Sequence, residues 1–327
     1  MSNKVIRLAL ITLFLVFSFC VEAQQPTKVH RIGFLMAGSL ATNAALIESF
    51  RQNLRELGYI EGQNVAIEYR ASEGREDRLP ELAAELVRLQ IQLIVAWTTP
   101  AARAAKNATT TIPIVMIGVG DPVETGLVAS LARPSANLTG LTSLSPELSG
   151  KRLELLKEVV PSVSRIAIFW NPGNPSNSLQ LKEVQAAAQT LTLRIKSLEV
   201  TRPDNIERAF ATMAREGAGA LLVLADSFFL THRVQLADLA AKNRLPAMYA
   251  NRQNVEDGGL MSYAPDVPYM WRRLAHYVDK ILKGAKPADL PIEQPTKFEF
   301  VINLKAAKQI GLTIPPNVLA RADKVIK

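Results

Sequence analysis

The side chains of this sequence that are equipped for chemistry sit on a few short polar turns. Ser39 and Thr42 lie in AGSLATN, Thr98 and Thr99 in WTTP, Asp121 in GVGDPVETG, and Asp226 with Ser227 in LADSF. Each turn follows an apolar run, and most lead into a helical pattern. Hydroxyls ahead of a helix accept from its free N–H groups, or share them with a bound anion. A carboxylate at the same level serves acid/base chemistry, a metal, or the positive end of a ligand. Asn171, Tyr249 and Asp257 occupy related positions further along the chain.

The motifs that would make these residues catalytic are missing. Gly150-Lys151 lacks the glycine and the Ser or Thr of a phosphate-binding loop. Gly118 and Gly120 give G-x-G, but Val123 stands where the dinucleotide fingerprint needs glycine. There is no G-x-S-x-G elbow and no H-E-x-x-H. His30, His232 and His276 are far apart and read as surface groups, and nothing supports a triad built on Ser227 and His232. Without histidine or cysteine beside the aspartates, no metal site and no cofactor are expected.

From residue 31 the chain alternates β-rich runs with amphipathic segments. Strands are expected at 31–36, 64–69, 92–96 and 112–117, then at 165–170, 193–200, 220–225 and 246–250, with helical patterns such as ALIESFRQNLRELGY between them. The fold class is α/β: two doubly wound, Rossmann-like lobes with parallel sheets. The tail, with a helix over 267–282, a strand in KFEFVIN and a helix in LKAAKQIGL, returns to the first unit and crosses back. The N-terminal lobe is expected to comprise 28–142 plus 258–288, the C-terminal lobe 146–250 plus 293–327, and the hinge 139–146, 250–258 and 286–294. In open sheets of this kind ligands bind beyond the carboxyl ends of the strands, which is where the polar turns fall. An acidic group facing hydroxyl-rich helix starts suits a zwitterion. Trp97, Trp170, Phe228, Tyr249 and Tyr263 are the aromatic groups placed to cover its side chain. For Ser39, Thr42, Thr99 and Asp121 the alternative is a helix cap.

Length and charge narrow the class. A chain of 327 residues suits two cores. Residues 1–23 read as a signal peptide: Lys4 and Arg7, a largely apolar stretch from Leu8 to Phe19, then Val21-Glu22-Ala23. That stretch is too short to span a membrane, so an exported, periplasmic protein is expected. Cys20, the single cysteine, offers lipid anchoring as the alternative. The net charge of +8 is scattered over helical segments, which argues against nucleic acid.

The stretches IPIVMIGVGDPVETGLVASLARPSANLTGLT, GKRLELLKEVVP, RIAIFWNPGNP, GGLMSYAPD and KGAKPADLPIEQPTKFEFVINLKAAKQIGLTIPPNVLARADKVI resemble ABC-transporter substrate-binding proteins. The likeness is to the type-I periplasmic class, in the group related to tryptophan-binding transport components, and covers essentially all of the chain beyond the expected signal peptide. It implies two lobes joined by three crossovers that close on a ligand by hinge motion. Carried over by position, the ligand contacts are Ser39, Thr42, Thr98, Thr99, Asp121, Asn171, Asp226, Ser227, Tyr249 and Asp257. Trp97 departs from the small residue the family more often has there, which bears on cleft size. The function expected is a monomeric, non-enzymatic solute-binding protein that delivers a small ligand, an aromatic or branched amino acid, to a membrane permease. The rival readings are a ligand-sensing domain serving a separate receptor and an extracellular enzyme on the same fold.

Overall fold

Strands buried on both faces must be covered by helices on both faces, and the runs Leu93–Trp97 and Ile114–Val119 are of this kind. In the computed structural model, which describes residues 29–134 and 137–327, they lie at the centre of a five-stranded parallel sheet. Its strands are β1 (His30–Met36), β2 (Val65–Ala71), β3 (Leu93–Trp97), β4 (Ile114–Val119) and β5 (Leu138–Thr142), in the order β2-β1-β3-β4-β5. Helices Leu79–Arg88 and Thr99–Ala108 bury Leu82, Leu86, Ala101 and Ala105 against one face. Phe50 and Leu54 of helix Ala44–Glu56 cover the other, together with Trp271, Leu274 and Val278 of helix Val267–Leu282. The expected signal peptide and Cys20 lie outside the described residues.

The second lobe contains β6 (Arg165–Trp170), β7 (Arg194–Glu199), β8 (Ala220–Val223), β9 (Ala247–Tyr249), β10 (Met261–Pro265), β11 (Phe298–Asn303) and β12 (Lys324–Ile326). They form one sheet in the order β12-β11-β10-β9-β8-β6-β7. It is parallel except at one place: β11 runs antiparallel to β10. The stretch 251–266 was expected to be turns. It holds a short helix, Arg252–Glu256, and then β10, which belongs to this second sheet.

That strand corrects the domain boundaries. The chain crosses between lobes at 142–145, at 265–267 and near 293, so the second crossing follows β10 and does not fall at 250–258. The crossings are tied to one another. Arg152, wholly buried in helix Ser145–Val159, donates from Nε to the Tyr263 carbonyl at 2.8 Å and from Nη1 to the Ser145 carbonyl at 3.3 Å. Burial pulls this guanidinium down to about 10. Glu293 on the third crossing pairs with Arg273, while its backbone bonds both Gly140 and Thr142. The three crossings are thereby held in one bundle, about which lobes can rotate as units.

Helix Val267–Leu282 is remote in sequence from the lobe it covers, so its core contacts test that assignment. Leu274 is fully buried against the first sheet. Leu274→Ala should lower stability by about 2–5 kcal/mol in urea unfolding followed by circular dichroism. A loss below about 1 kcal/mol would mean that the helix is not part of that core.

Candidate functional site

A cavity of about 110 Å³ lies between the lobes, at the carboxyl ends of both sheets. The first lobe lines it with Asn43, Trp97, Thr98, Thr99, Gly118 and Gly120. The second contributes Asn174, Ser176, Asp226, Ser227, Asn251 and Gln253. Ser143 and Ser145 at one crossing, and Ala264 and Pro265 at another, complete the floor.

Among the described residues its single lining carboxylate is Asp226, just after β8, at 6% exposure. Oδ2 accepts from Asn174 Nδ2 at 2.8 Å, and Oδ1 accepts from the Phe228 N–H at 2.8 Å, capping the short helix that follows. Asn171 Nδ2 lies 3.4 Å from both oxygens. Burial raises the Asp226 carboxyl above the ordinary range, and these donors act in the opposite direction. The loop carrying it is fixed by two fully buried amides of helix Pro175–Thr190. Gln180 both donates to and accepts from the backbone of Ala225, and Asn177 donates to the Ala225 carbonyl. A cation entering the cavity therefore meets a positioned, incompletely hydrated negative charge.

On the first lobe, helix Thr99–Ala108 opens onto the cavity. Pro100 in its first turn has no N–H to satisfy, and the remaining early N–H groups have no partner within the helix. Thr98 precedes it at φ 90°, a conformation a β-branched residue adopts only at a cost of roughly 1–3 kcal/mol. The Thr98 N–H bonds the Ile117 carbonyl at 2.9 Å, and its own carbonyl accepts from Ala102 at 3.0 Å, which holds it there. Its hydroxyl is buried without a partner among the described residues, whereas the Thr99 hydroxyl accepts from the Gly120 N–H at 3.2 Å. Such a helix start favours an anion.

Between the two polar ends stands an apolar wall. Trp97 and Trp271 meet edge to face at 5.1 Å, with Met270, Leu230 and Val267 beside them. Gly118, at φ 67°, lies against the Trp97 indole, where a Cβ would come within 3.1 Å of the ring. The glycine therefore admits the tryptophan.

The lobes touch around this cavity. A Cβ on Gly120 would fall 1.9 Å from Ser176 Oγ, and one on Gly38 would fall 3.6 Å from Thr231 Oγ1. Glu76 Oε1 reaches Asn171 Nδ2 at 3.5 Å. The structure is a closed form.

Of the positions expected from sequence, Thr98, Thr99, Asp226 and Ser227 line the cavity. The others do not, each for a physical reason. Asp121 Oδ1 accepts from the N–H groups of Val123 and Glu124, both at 3.0 Å, so its carboxylate closes its own turn. Ser39 and Thr42 are engaged locally, the Ser39 carbonyl accepting from Thr42 Oγ1 and Asn43 Nδ2. Asn171 stands behind Asp226, facing a separate outer cleft. Tyr249 is fully buried under the sheet, and Asp257 pairs with Arg233 at the surface. Trp170, Phe228 and Tyr263 also lie outside the cavity, and of the anticipated aromatic groups Trp97 alone lines it. Reasoning from type and spacing missed Asn174, Ser176 and Trp271. Asn174 was detectable: N-P-S after a strand is an N-cap with proline at the first helical position, and Asn174 does accept from the Ser176 N–H.

Residues 40–326 match the family described as ABC transporter substrate binding protein. The chain belongs to that family. It is 26% identical over 266 residues to a tyrosine-binding protein of Clostridioides difficile, covering 81% of this chain and 76% of that one. Among solved structures, a conserved domain protein of Vibrio cholerae is 30% identical with a TM-score of 0.85, covering 91% of this chain and all of the other. An ABC domain from Streptococcus pneumonia in complex with L-Trp is 28% identical with a TM-score of 0.84, at the same coverage. The two lobes have the type I periplasmic binding fold. Members of this family are binding proteins that act outside the cytoplasm and take a small molecule as ligand. Among the described residues, no group of three or more His, Cys, Asp or Glu is arranged to hold a metal ion, and no helix is long and apolar enough to cross a membrane.

The closest approach between lobes gives a test of closure. Gly120→Ala should hold the lobes apart and raise the radius of gyration measured by small-angle X-ray scattering under conditions in which the parent protein is closed. Adding Ser176→Gly should restore the compact form. Identical scattering from the parent and Gly120→Ala would mean that the lobes do not meet there.

Proposed function

We propose that the protein binds an aromatic amino acid between its lobes and delivers it to an ABC permease, after export directed by residues 1–23, as a monomer and without catalysing a reaction. The observation that carries this reading is Asp226: a buried, hydrogen-bonded carboxylate facing a cavity whose opposite polar element is a helix start. The ligand's ammonium sits against Asp226. Its carboxylate lies at Thr98, Thr99 and the free N–H groups of helix Thr99–Ala108. Among the described residues no lysine or arginine lines the cavity, so the anion is met by dipoles and hydroxyls. Trp97, Trp271 and Met270 take the side chain. The tyrosine and tryptophan named for the two relatives support an aromatic ligand. Because the polar ends belong to different lobes, both are engaged only in the closed form, and the ligand shifts the population toward the state a permease recognises.

Calorimetric titration with L-tyrosine, L-tryptophan and L-leucine tests the reading. One of the aromatic amino acids should bind, and at 100 times its Kd should add about 2.7 kcal/mol of stability. Asp226→Asn should weaken binding about tenfold or more, since a charged hydrogen bond is worth about 1.5–3 kcal/mol. Asp121→Ala should change affinity by less than about twofold, because its carboxylate serves the turn. Binding of leucine alone would move the ligand to the branched class. Unchanged affinity in Asp226→Asn would remove the ammonium from that carboxylate.

A further inference from the structure

Outside the cavity, the closed cleft contains a second carboxylate that the binding reading does not use. Glu76 begins a short 3-10 turn, Glu76–Arg78, that hangs from the first lobe after β2. Across the cleft, its Oε1 is 3.5 Å from Asn171 Nδ2, the same amide nitrogen that lies 3.4 Å from both oxygens of Asp226. Its Oε2 comes within 3.4 Å of the Cβ position of Gly173. Two carboxylates from opposite lobes thus converge on one amide, and none of the ion pairs among the described residues includes either of them.

We propose that closing the cleft takes up one proton, held by the Glu76 and Asp226 carboxyl pair across Asn171, so that pH sets how readily the lobes close on a ligand. In the open form Glu76 is on an exposed turn of one lobe and Asp226 is on the other, and each ionises without regard to its counterpart. Closing half-buries Glu76 and brings it toward a negative charge. Those two causes, burial first and the charge of Asp226 second, raise the Glu76 carboxyl to about 8 in the closed form. When an ammonium neutralises Asp226, burial still favours the proton on Glu76.

Other charges face this seam. Glu73, Arg75 and Asp77 flank Glu76 on its own loop, and Arg202 and His232 face it from the second lobe across the outer cleft. Arg75 is engaged with Asp77 at 3.1 Å. Burial lowers the His232 imidazole, so this ring loses its charge earlier than a free histidine and does not supply a compensating cation at neutral pH.

The sign follows from linkage. Glu76 is easier to protonate closed than open, so closing is most favourable below the ordinary carboxyl range. It then weakens by up to about tenfold per pH unit as pH rises, and levels off above about 8. The inference rests on the cavity being a site that closes on its ligand, and two measurements separate its failure from failure of the ligand assignment. In small-angle scattering without ligand, the parent protein should be more open at pH 8.5 than at pH 6, and Glu76→Gln, whose neutral amide needs no proton, should be compact at both. In titrations with L-tyrosine and L-tryptophan, affinity should fall about tenfold or more from pH 6 to pH 8 in the parent and stay flat in Glu76→Gln. His232→Gln should keep the parent profile. Binding with no pH dependence, or a dependence abolished by His232→Gln and retained in Glu76→Gln, overturns the proton and leaves the ligand assignment standing. A pH-dependent compaction that Glu76→Gln removes, with neither amino acid bound, does the reverse. Absence of both overturns both.

Discussion

A carboxylate taken out of water has to be compensated, and the arrangement of Asp226 governs much of what surrounds the cleft. Its oxygens take hydrogen bonds from Asn174, Asn171 and the Phe228 N–H, and among the described residues no arginine or lysine pairs with them. Replacing a cation by amide donors leaves the site net negative, a poor outcome for stability alone, since burying charge without a counter-charge costs several kcal/mol. It is a sound arrangement for a site that is to receive a cation from solution. The rest follows from keeping that carboxylate in place: Gln180 and Asn177 fix the loop, and helix Pro175–Thr190 starts where its first side chains can serve the cavity.

The opposing lobe answers with dipoles. Thr98 holds a strained backbone at the start of helix Thr99–Ala108, and Gly118 gives up its side chain so that Trp97 can lie beside the cavity. Strain and glycine at such positions lower the stability of a lone lobe, and the neighbouring core of Phe34, Phe50 and Trp271 offsets the loss. Gly120 has a different role, since its missing Cβ is the space that Ser176 occupies when the lobes meet. A closed cleft thus depends on side chains that are absent as well as those that are present.

Much of this was legible in the sequence, and the failures have causes. The central strands were found because they are continuous apolar runs between amphipathic helices, and the rule that ligands bind beyond strand ends picked out Thr98, Thr99, Asp226 and Ser227. β10 was missed because Gly258, Gly259, Pro265 and Asp266 bracket a run of five residues, and turn chemistry at both ends outweighed it. Asp121 was misassigned because an aspartate ahead of free N–H groups looks the same in sequence whether it binds a ligand or closes its own turn. Trp271 and Glu76 could not be found in that way. One reaches the cavity only because helix Val267–Leu282 crosses back to the first lobe, and the other meets Asn171 only when two lobes close.

The central claim is that a zwitterion is held between a buried carboxylate on one lobe and a helix start on the other. A crystal structure of the protein grown with L-tryptophan or L-tyrosine tests it most directly. The expected result is a closed cleft with the ligand's ammonium within hydrogen-bond distance of Asp226, its carboxylate at Thr98 and Thr99, and its ring against Trp97 and Trp271. A ligand lying with its carboxylate toward Asp226, or bound outside this cavity, would contradict it.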